Sequence, residues 1–255
     1  FHYKRNLIMI TTEQIVNLPY MYIQGLNLSS SGTKILTLES GQVRDSTNQF
    51  DIVIPDEILL NGSGNGVNAV APGLTLVGNM FYSVFAIGSS LGLQTASSII
   101  SSFGQSPILP KGYDIFNLIG VWNTDGAVNF TKMYQIGGSS KRNYFYDTPI
   151  SVLSGGSETT FTSVNLSAAV PAIQDISVTL KIDYTPSLAD HFLKLRPTGS
   201  VSSGEIKINA LVEHIEQDNV LIIPGLASSN NPSIDYMANA NTDALSMYVY
   251  GFSYN

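Results

Sequence analysis

The sequence predicts an all-β fold: an antiparallel β-sandwich or jelly-roll-like arrangement, with two packed β units behind a short N-terminal arm. Short runs of β-branched and aromatic residues recur along the chain, separated by Gly, Ser, Asn and Pro. Two runs, from Ile176 to Ile182 and from Ile206 to Val212, alternate apolar with polar residues. Such alternation indicates strands with one buried and one wet face, as in antiparallel sheets. No long amphipathic helical pattern and no repeat of fixed period accompanies them.

The composition indicates a folded core beneath an unusually neutral surface. Apolar residues make up 44% of the 255-residue chain, and charged residues make up only 12%, about half of the usual share. Ser, Thr, Asn and Gly take the place of charge, which is typical of β-proteins that assemble into larger objects. The absence of cysteine excludes a disulfide framework, a thiolate metal site and a cysteine nucleophile. The sequence therefore predicts no cofactor.

The distribution of charged and apolar residues predicts neither nucleic-acid binding nor membrane insertion. The net charge is −7, and only Lys4–Arg5 and Lys141–Arg142 are adjacent basic pairs. Nucleic-acid binding needs a basic face, which this distribution does not predict. No run of about 18 apolar residues is present, so membrane insertion is not expected.

The chain divides into three predicted segments. Residues 1–19 are irregular and are expected to form an N-terminal arm or linker, in which Thr11–Val16 could open a short helix before Pro19. Residues 20–138 are predicted to form a first β domain. A small-residue stretch, Gly137–Ser140, marks the boundary, and residues 139–255 are predicted to form a second β-sandwich domain.

Strands are predicted throughout both β domains. In the first domain the expected strands are Tyr22–Leu28 (bent at Gly25), Lys34–Leu38, Phe50–Ile54, Asn79–Ile87, Leu91–Ser102 (with a turn), Ile115–Trp122 and Asn129–Ile136. In the second they are Tyr144–Tyr146, Pro149–Leu153, Thr159–Leu166, Gln174–Tyr184, His191–Leu195, Glu205–His214, Val220–Ile223 and Leu245–Phe252.

Two turns carry specific expectations. The Asp-Gly pair in Asn123–Gly126 predicts a hairpin turn that joins Ile115–Trp122 to Asn129–Ile136, because Asp-Gly supplies positive-φ positions. In the returning segment, Phe130, Lys132, Tyr134 and Ile136 are expected on one face and Met133 on the other. The glycine-rich Asn61–Gly66 is predicted to be a surface loop. It is not a phosphate-binding loop, since neither a helix nor a basic residue follows it.

Catalytic residues are not predicted. The histidines, His2, His191 and His214, lack the spacing of a zinc site, and His214 is interpreted as a surface residue among carboxylates. A Ser-His-Asp combination carries no information in a chain this rich in Ser, and no G-x-S-x-G elbow occurs. With 19 acidic residues, a chance carboxylate pair with glycosidase spacing is expected somewhere. The sequence therefore favours a protein that is not an enzyme.

The segment Gly41–Ile54 is the most distinctive part of the chain. The polar residues Arg44, Asp45 and Asn48 lie between two β-runs. Asp and Asn side chains bind nearby backbone N–H groups in turns, and Asn tolerates positive φ. We therefore expect a hairpin in which Arg44 and Asp45 pair with each other or with nearby backbone. These three residues are predicted to be a structural motif rather than a receptor contact.

Tyrosine is the remaining hint of a binding surface. There are 13 tyrosines and one tryptophan, and Tyr236, Tyr248, Tyr250 and Tyr254 lie near the C-terminus. Exposed aromatic residues can stack on sugars or anchor protein interfaces. The simpler expectation is that Tyr248 and Tyr250 pack in the last strand.

Several segments together resemble a group of bacteriophage tail-fibre and other virion structural proteins. Tyr22–Leu28 is similar to the group's opening Y-x-x-G-L-x-L strand, and Gly41–Asn48 with Phe50–Ile52 is similar to its G-x-x-R-D-S-T-N-x-x-D-I segment. Phe81–Ile87, Ser106–Tyr113 and Ile119–Gly120 resemble its Y-H-V-F-x-I, S-P-x-L-P-x-G-Y and R-I-G runs, and Gly251–Tyr254 its closing strand. Many relatives have Arg-Arg before Ile-Gly and His in the Y-H-V-F run, where this chain has Asn117, Leu118 and Ser83.

The resemblance implies a non-enzymatic virion protein, assembled in the bacterial cytoplasm, that serves as a tail or head fibre, spike or decoration protein. It also implies a homo-oligomer, with a trimer favoured. The expected partners are other virion proteins, contacted through residues 1–19, and a host cell-surface glycan if the protein contributes to attachment. Two alternatives stay open: a carbohydrate-binding module, which needs an exposed Tyr or Trp platform, and a glycan-cleaving tailspike, which needs paired carboxylates in a cleft.

Overall fold

A computed structural model describes residues 22–138, 141–173, 176–200, 205–210, 215–226 and 232–254, with residues 215–226 described by their backbone alone. Within these ranges every regular element is a strand, so the all-β prediction is confirmed. The predicted arm at residues 1–19, its Thr11–Val16 helix, and His2 and His214 lie outside the described residues.

The strands follow one another closely along the chain. They are β1 Ile23–Gly25, β2 Leu28–Ser30, β3 Ile35–Leu38, β4 Gly41–Arg44, β5 Asp51–Ile54, β6 Ile58–Asn65, β7 Ala69–Val70, β8 Phe81–Gly88, β9 Ser97–Ser102, β10 Ile115–Asn123, β11 Met133–Gly137, β12 Arg142–Gly156, β13 Thr162–Asn165, β14 Ile176–Thr185, β15 Phe192–Pro197, β16 Ile206–Asn209, β17 Ile215–Leu226, β18 Ser233–Ala238 and β19 Ala244–Tyr254.

One large sheet runs through both halves of the chain. Its order is β10-β8-β9-β7-β6-β3-β2-β11-β12-β19-β14-β17, and β7 pairs in parallel with β6 and β9 while the other pairs are antiparallel. A four-stranded sheet, β13-β18-β15-β16, and a three-stranded sheet, β1-β4-β5, accompany it. Buried residues of all three sheets belong to one apolar cluster, as expected where sheets pack face to face.

The strand period explains this packing. In β14, Ile176, Val178, Leu180 and Ile182 are buried, while the residues between them are half-exposed. Leu193 and Leu195 of β15 are buried in the same cluster. Each fully buried aliphatic side chain stabilises the fold by about 1.5–3 kcal/mol relative to an exposed one. The predicted alternation of β14 is thereby confirmed.

Strand pairing continues across the predicted boundary between the two β domains. Met133 of β11 lies opposite Tyr146 of β12, and Gly137 lies opposite Arg142. The core cluster likewise includes residues from before and after residue 138. The division at 138/139 therefore falls between two paired strands of the large sheet, and two separately folding domains remain a prediction.

Two local predictions are wrong. The glycine-rich Asn61–Gly66 is not a surface loop, because Ile58–Asn65 forms β6 and pairs with β3 and β7. The segment after β10 does not return along it either, since β10 pairs with β8 and β11 pairs with β12 and β2. A single bridge, Thr124 to Phe130, remains of the expected hairpin.

The turn after β10 depends on a carboxylate rather than on its glycine. Asp125 Oδ1 accepts hydrogen bonds from the amides of Ala127 (2.9 Å) and Asn129 (2.8 Å), and Val128 adopts φ 64°. In β11, Met133 and Gln135 are buried while Tyr134 and Ile136 are exposed. Phe130 is buried too, so it does not share the exposed face of Tyr134 and Ile136 as predicted.

Candidate functional site

The β4–β5 hairpin contains the predicted structural motif. Asp45 is buried, and its Oδ1 accepts from the amides of Gln49 (2.7 Å) and Phe50 (2.7 Å), while Oδ2 accepts from the amide of Thr47 (2.9 Å). Asn48 adopts φ 59°, and its amide donates to the Asp45 carbonyl at 2.9 Å. The Asp45 carboxylate thus fixes the loop through backbone groups, as its turn chemistry predicts.

The hydrogen bonds outweigh burial in setting the ionisation of Asp45. Burial alone would raise the pKa of this carboxyl, but the Phe50 amide, the Thr47 hydroxyl and amide, and the Gln49 amide together lower it. Asp45 is therefore ionised at neutral pH and accepts only.

Arg44 does not pair with Asp45. Its Nε lies 3.2 Å from Asp51 Oδ1 on the opposite strand, as an ion pair without the alignment of a hydrogen bond. The Arg44 carbonyl accepts from Asn117 Nδ2 at 2.5 Å, and the Ser46 amide donates to the Phe116 carbonyl at 2.8 Å. The hairpin is thereby held against β10 through the buried Asn117.

A second carboxylate, Asp243, gathers residues that the sequence separates. It is 2% exposed and precedes β19. It accepts from the Tyr184 hydroxyl (2.7 Å), from the Ser187 amide and hydroxyl (2.8 Å each), and from His191 Nδ1 (2.8 Å). Burial alone would raise the pKa of Asp243, but the Ser187 amide, the Tyr184 hydroxyl, His191 and the Ser187 hydroxyl lower it well below its usual value. Because an ionised carboxylate only accepts, His191 carries a proton on Nδ1.

The Asp243 cluster has the residue types of a catalytic triad but not its connectivity. In a triad the histidine lies between serine and aspartate and takes the serine proton. Here Ser187 Oγ and His191 Nδ1 both lie 2.8 Å from the same oxygen, Asp243 Oδ1. Among the described residues no histidine is therefore placed to take the Ser187 proton, and the cluster holds the turn after β14 to the turn before β19. No spacing in the sequence could have indicated it.

The basic pair Lys141–Arg142 does not form a basic surface. Arg142 is 5% exposed, and its Nη1 donates to the Leu26 carbonyl at 3.3 Å. Burial lowers the pKa of this guanidinium. Nearby, the hydroxyls of Tyr144 and Tyr254 lie 3.0 Å apart, and the Tyr144 ring stacks on Phe252 with centroids 4.6 Å apart.

The C-terminal tyrosines divide between the core and the surface. Tyr236 and Tyr254 are buried, whereas Tyr250 is 40% exposed and Tyr248 is half-buried. The expectation that both Tyr248 and Tyr250 pack in the last strand is therefore wrong for Tyr250, which is exposed, while Tyr248 is half-buried in β19. Leu245, Met247 and Val249 occupy the inward face of β19, so the strand period sends Tyr248 outward.

A bulge at Tyr250 changes the alternation of β19. Val249 lies opposite Leu180 and Gly251 lies opposite Thr179, so Tyr250 is an extra residue on this strand. Past the bulge the even-numbered Phe252 and Tyr254 turn inward, whereas before it the odd-numbered residues did so. Tyr250 is left exposed beside the outward face.

The same outward face contains a second aromatic pair and a groove. Tyr134 and Phe145 stack with centroids 5.3 Å apart and planes 25° apart. A groove of about 340 Å³ lies along β14 and β19, lined by Thr148, Pro149, Lys181, Asp183 and Tyr248. Its volume is at the lower end of the range for small-molecule sites. We call the surface formed by Tyr134, Phe145, Tyr248, Tyr250 and this groove the aromatic face.

A second groove contains adjacent carboxylates. It measures about 240 Å³, and its lining includes Asp56, Glu57, Asn68 and Tyr113. The Tyr113 hydroxyl donates to the Thr95 carbonyl at 3.0 Å, and burial raises the pKa of Tyr113.

The described residues contain no group of three or more His, Asp or Glu side chains placed to hold a metal ion. Nor does any helix with the length and apolar character of a membrane span occur in the described ranges.

Comparison with protein-family models, with curated proteins and with solved structures finds no match to this chain.

Proposed function

We propose that this chain is a non-enzymatic structural protein of a bacteriophage virion, placed as a tail or head fibre, spike or decoration protein and contributing to host-surface attachment. The observation that supports it most is that three segments resembling virion proteins, far apart in the sequence, lie beside one another: Gly41–Asn48 contacts β10, which contains Ile119–Gly120, and β10 pairs with β8, which contains Phe81–Ile87. Arg44 and Ser46 bind Asn117 and Phe116 of β10, which itself pairs with β8 over Phe81–Gly88. Such packing of the resembling segments is expected if this chain and the resembled proteins share one fold in this region.

The surface chemistry fits this role. A chain with 12% charged residues and a surface of Ser, Thr, Asn and Gly is hydrated by neutral groups. Neutral β-surfaces of this kind suit assembly into a larger object, because few charges need to be desolvated at contacts.

The proposal is tested on intact particles and on the isolated chain. Mass spectrometry and immunogold labelling of purified virions should detect the chain at a fixed position on the particle. Size-exclusion chromatography with light scattering should give a homo-oligomer, with a trimer expected. Absence from purified virions would overturn the proposal, and a stable monomer at high concentration would overturn the fibre or spike form of it.

A glycan-cleaving tailspike is the enzymatic alternative, and the groove at Asp56 and Glu57 is where it can be tested. Incubation with host polysaccharide should release no new reducing ends. The non-enzymatic proposal would be overturned if the wild-type chain released reducing ends, Asp56→Asn and Glu57→Gln each abolished this release, and Asp147→Asn retained it. Asp147 is a suitable control because it is an exposed carboxylate paired with Lys132 at 2.9 Å, away from this groove.

A carbohydrate-binding module is the second candidate. The aromatic face favours it, since the exposed Tyr134 and Tyr250 supply the platform that such a module needs.

A further inference from the structure

We infer that the aromatic face binds a neutral glycan chain, which lies between the Tyr134–Phe145 pair and the groove at Tyr248. The inference rests on the proposed attachment function for its biological setting and adds the ligand class and the residues that bind it.

Strand register places the aromatic residues on one side of the large sheet. Tyr134 lies opposite Phe145, and Phe145 lies opposite Gly251. Gly251 lies opposite Thr179, and Lys181, two residues further along β14, lies opposite Tyr248. Because residues directly opposite one another, and residues two apart on one strand, share a face, all of these side chains project to the same side. Thr179 and Lys181 mark the levels of Phe145 and Tyr248 and are two residues apart on β14, so at about 3.3 Å per residue the two levels are separated by roughly 7 Å along the strands.

The exposed rings suit the apolar faces of sugar rings. Tyr134 is 48% exposed and Tyr250 is 40% exposed, so their rings reach solvent in the isolated chain. A pyranose ring presents C–H groups on one face, which pack on an aromatic ring, while a tyrosine hydroxyl stays available for hydrogen bonds. A tyrosine at each end of the face would hold sugar units some distance apart, as an extended chain requires.

The groove supplies the polar contacts. Asp183 and Lys181 project from alternate positions of β14, and Thr148 and Pro149 form the wall opposite them. Asp183 Oδ1 is buried and has no hydrogen-bond partner among the described residues. A buried carboxylate oxygen without a donor is costly. Adjacent hydroxyls of a sugar are donors that a carboxylate accepts.

The charge of the face favours a neutral glycan. The described side chains that line the groove include one carboxylate and one ammonium group, and the chain as a whole has a net charge of −7. An acidic polysaccharide would therefore be repelled at long range. A protein partner fits less well, because polar residues interrupt the face: Ser151 lies opposite Tyr248, Thr179 lies opposite Gly251, and Ser246 lies opposite Asp183. Protein interfaces have a more apolar centre than this.

The test uses the full chain and a panel of immobilised neutral glycans: glucans, galactans, mannans and oligomers of N-acetylglucosamine, with polygalacturonate and hyaluronate as acidic arms. Binding to at least one neutral glycan is expected, and its Kd is then measured by calorimetry with the soluble oligosaccharide. Tyr248→Ala, Tyr134→Ala and Asp183→Asn should each weaken binding at least about tenfold. Tyr248→Phe should stay within about threefold of the wild-type affinity, since it keeps the ring.

Phe50→Ala is the matched control, because Phe50 is a half-exposed aromatic residue at the β4–β5 hairpin, away from the aromatic face. It should leave the Kd unchanged, and thermal unfolding checks that each variant is folded. Binding only to the acidic arms, binding that survives Tyr248→Ala and Tyr134→Ala, or binding to no glycan would each overturn the inference. Since the assay needs no virus, its failure leaves the virion location standing, and absence from virions leaves a measured glycan affinity standing.

Discussion

Asp45 and Asp243 each fix a loop by accepting hydrogen bonds, but the donors to Asp45 and the donors to Asp243 lie at very different distances along the chain. Each is a buried carboxylate that accepts backbone and side-chain hydrogen bonds and fixes a loop. The partners of Asp45 lie within five residues of it, whereas Tyr184, Ser187 and His191 lie 52 to 59 residues from Asp243. Asp45 therefore shapes one hairpin, while Asp243 joins two segments whose approach depends on the folded sheet.

The largest loss in the free energy of unfolding is expected when Asp243 is replaced. In Asp243→Asn, one acceptor oxygen becomes an amide donor, and the buried Ser187, Tyr184 and His191 groups lose a charged acceptor. We expect the free energy of unfolding to fall by about 3 kcal/mol. Urea unfolding followed by circular dichroism measures it as a lower midpoint at unchanged slope.

The control for Asp243→Asn is Asp147→Asn, which removes an exposed ion pair with Lys132. Exposed pairs stabilise by about 0–1 kcal/mol, so this control should lose less than that. If Asp243→Asn came within 1 kcal/mol of the wild-type protein, Asp243 would not join the two segments as described.

A smaller effect is expected at Asp45. In Asp45→Ala, the Thr47, Gln49 and Phe50 amides lose their acceptor, but Thr47 and Gln49 are exposed and water can replace the carboxylate there. We expect a loss of about 2 kcal/mol, similar to the removal of a strong helix cap. The same urea experiment measures it, and a loss greater than that of Asp243→Asn would reverse the ranking of local and long-range partners.

Acid should weaken the protein through both carboxylates. Their folded-state pKa values lie below the usual value, so at pH 3 the unfolded chain binds protons that the folded chain does not. Stability is then fully present above the unfolded pKa of about 3.9 and falls as the pH falls below it, by at most about 1.4 kcal/mol per pH unit for each group. Urea midpoints at pH 7, 5, 4 and 3 should show a shallower decline for Asp243→Asn than for the wild-type protein. Parallel declines would mean that Asp243 does not contribute.

The contrast between nearby and distant hydrogen-bond partners also explains which features could be predicted from the sequence. The Asp45 loop follows from residue types at short spacing, so its hairpin and its backbone contacts were predictable. The Asp243 cluster depends on which strands become neighbours, and no local pattern specifies that β14 lies beside β19. For the same reason the partner of β10 was mispredicted: the turn chemistry after it favoured a return, but β8 was the strand that paired with it.

The aromatic face was partly predictable. The tyrosine cluster near the C-terminus was visible in the sequence, and the period of two gives Tyr248 an outward position. The bulge at Tyr250 was not visible, because one inserted residue reverses the alternation without any composition signal. Its consequence is that Tyr254 is buried beside Tyr144 rather than exposed beside Tyr250.

The smallest change in the free energy of unfolding is expected at Asn48. It tests whether the backbone conformation of Asn48 contributes to stability in addition to the Asp45 hydrogen bonds. Asn48 adopts φ 59°, a region that glycine enters freely and alanine enters at a cost of about 1 kcal/mol. We therefore expect Asn48→Ala to lower the free energy of unfolding by about 1 kcal/mol and Asn48→Gly to leave it within about 0.5 kcal/mol. Both changes leave the Asp45 hydrogen bonds to Gln49 and Phe50 in place, so a difference between them in urea midpoint reports the backbone alone. Equal losses for the two variants would instead indicate that the Asn48 side chain itself holds the loop.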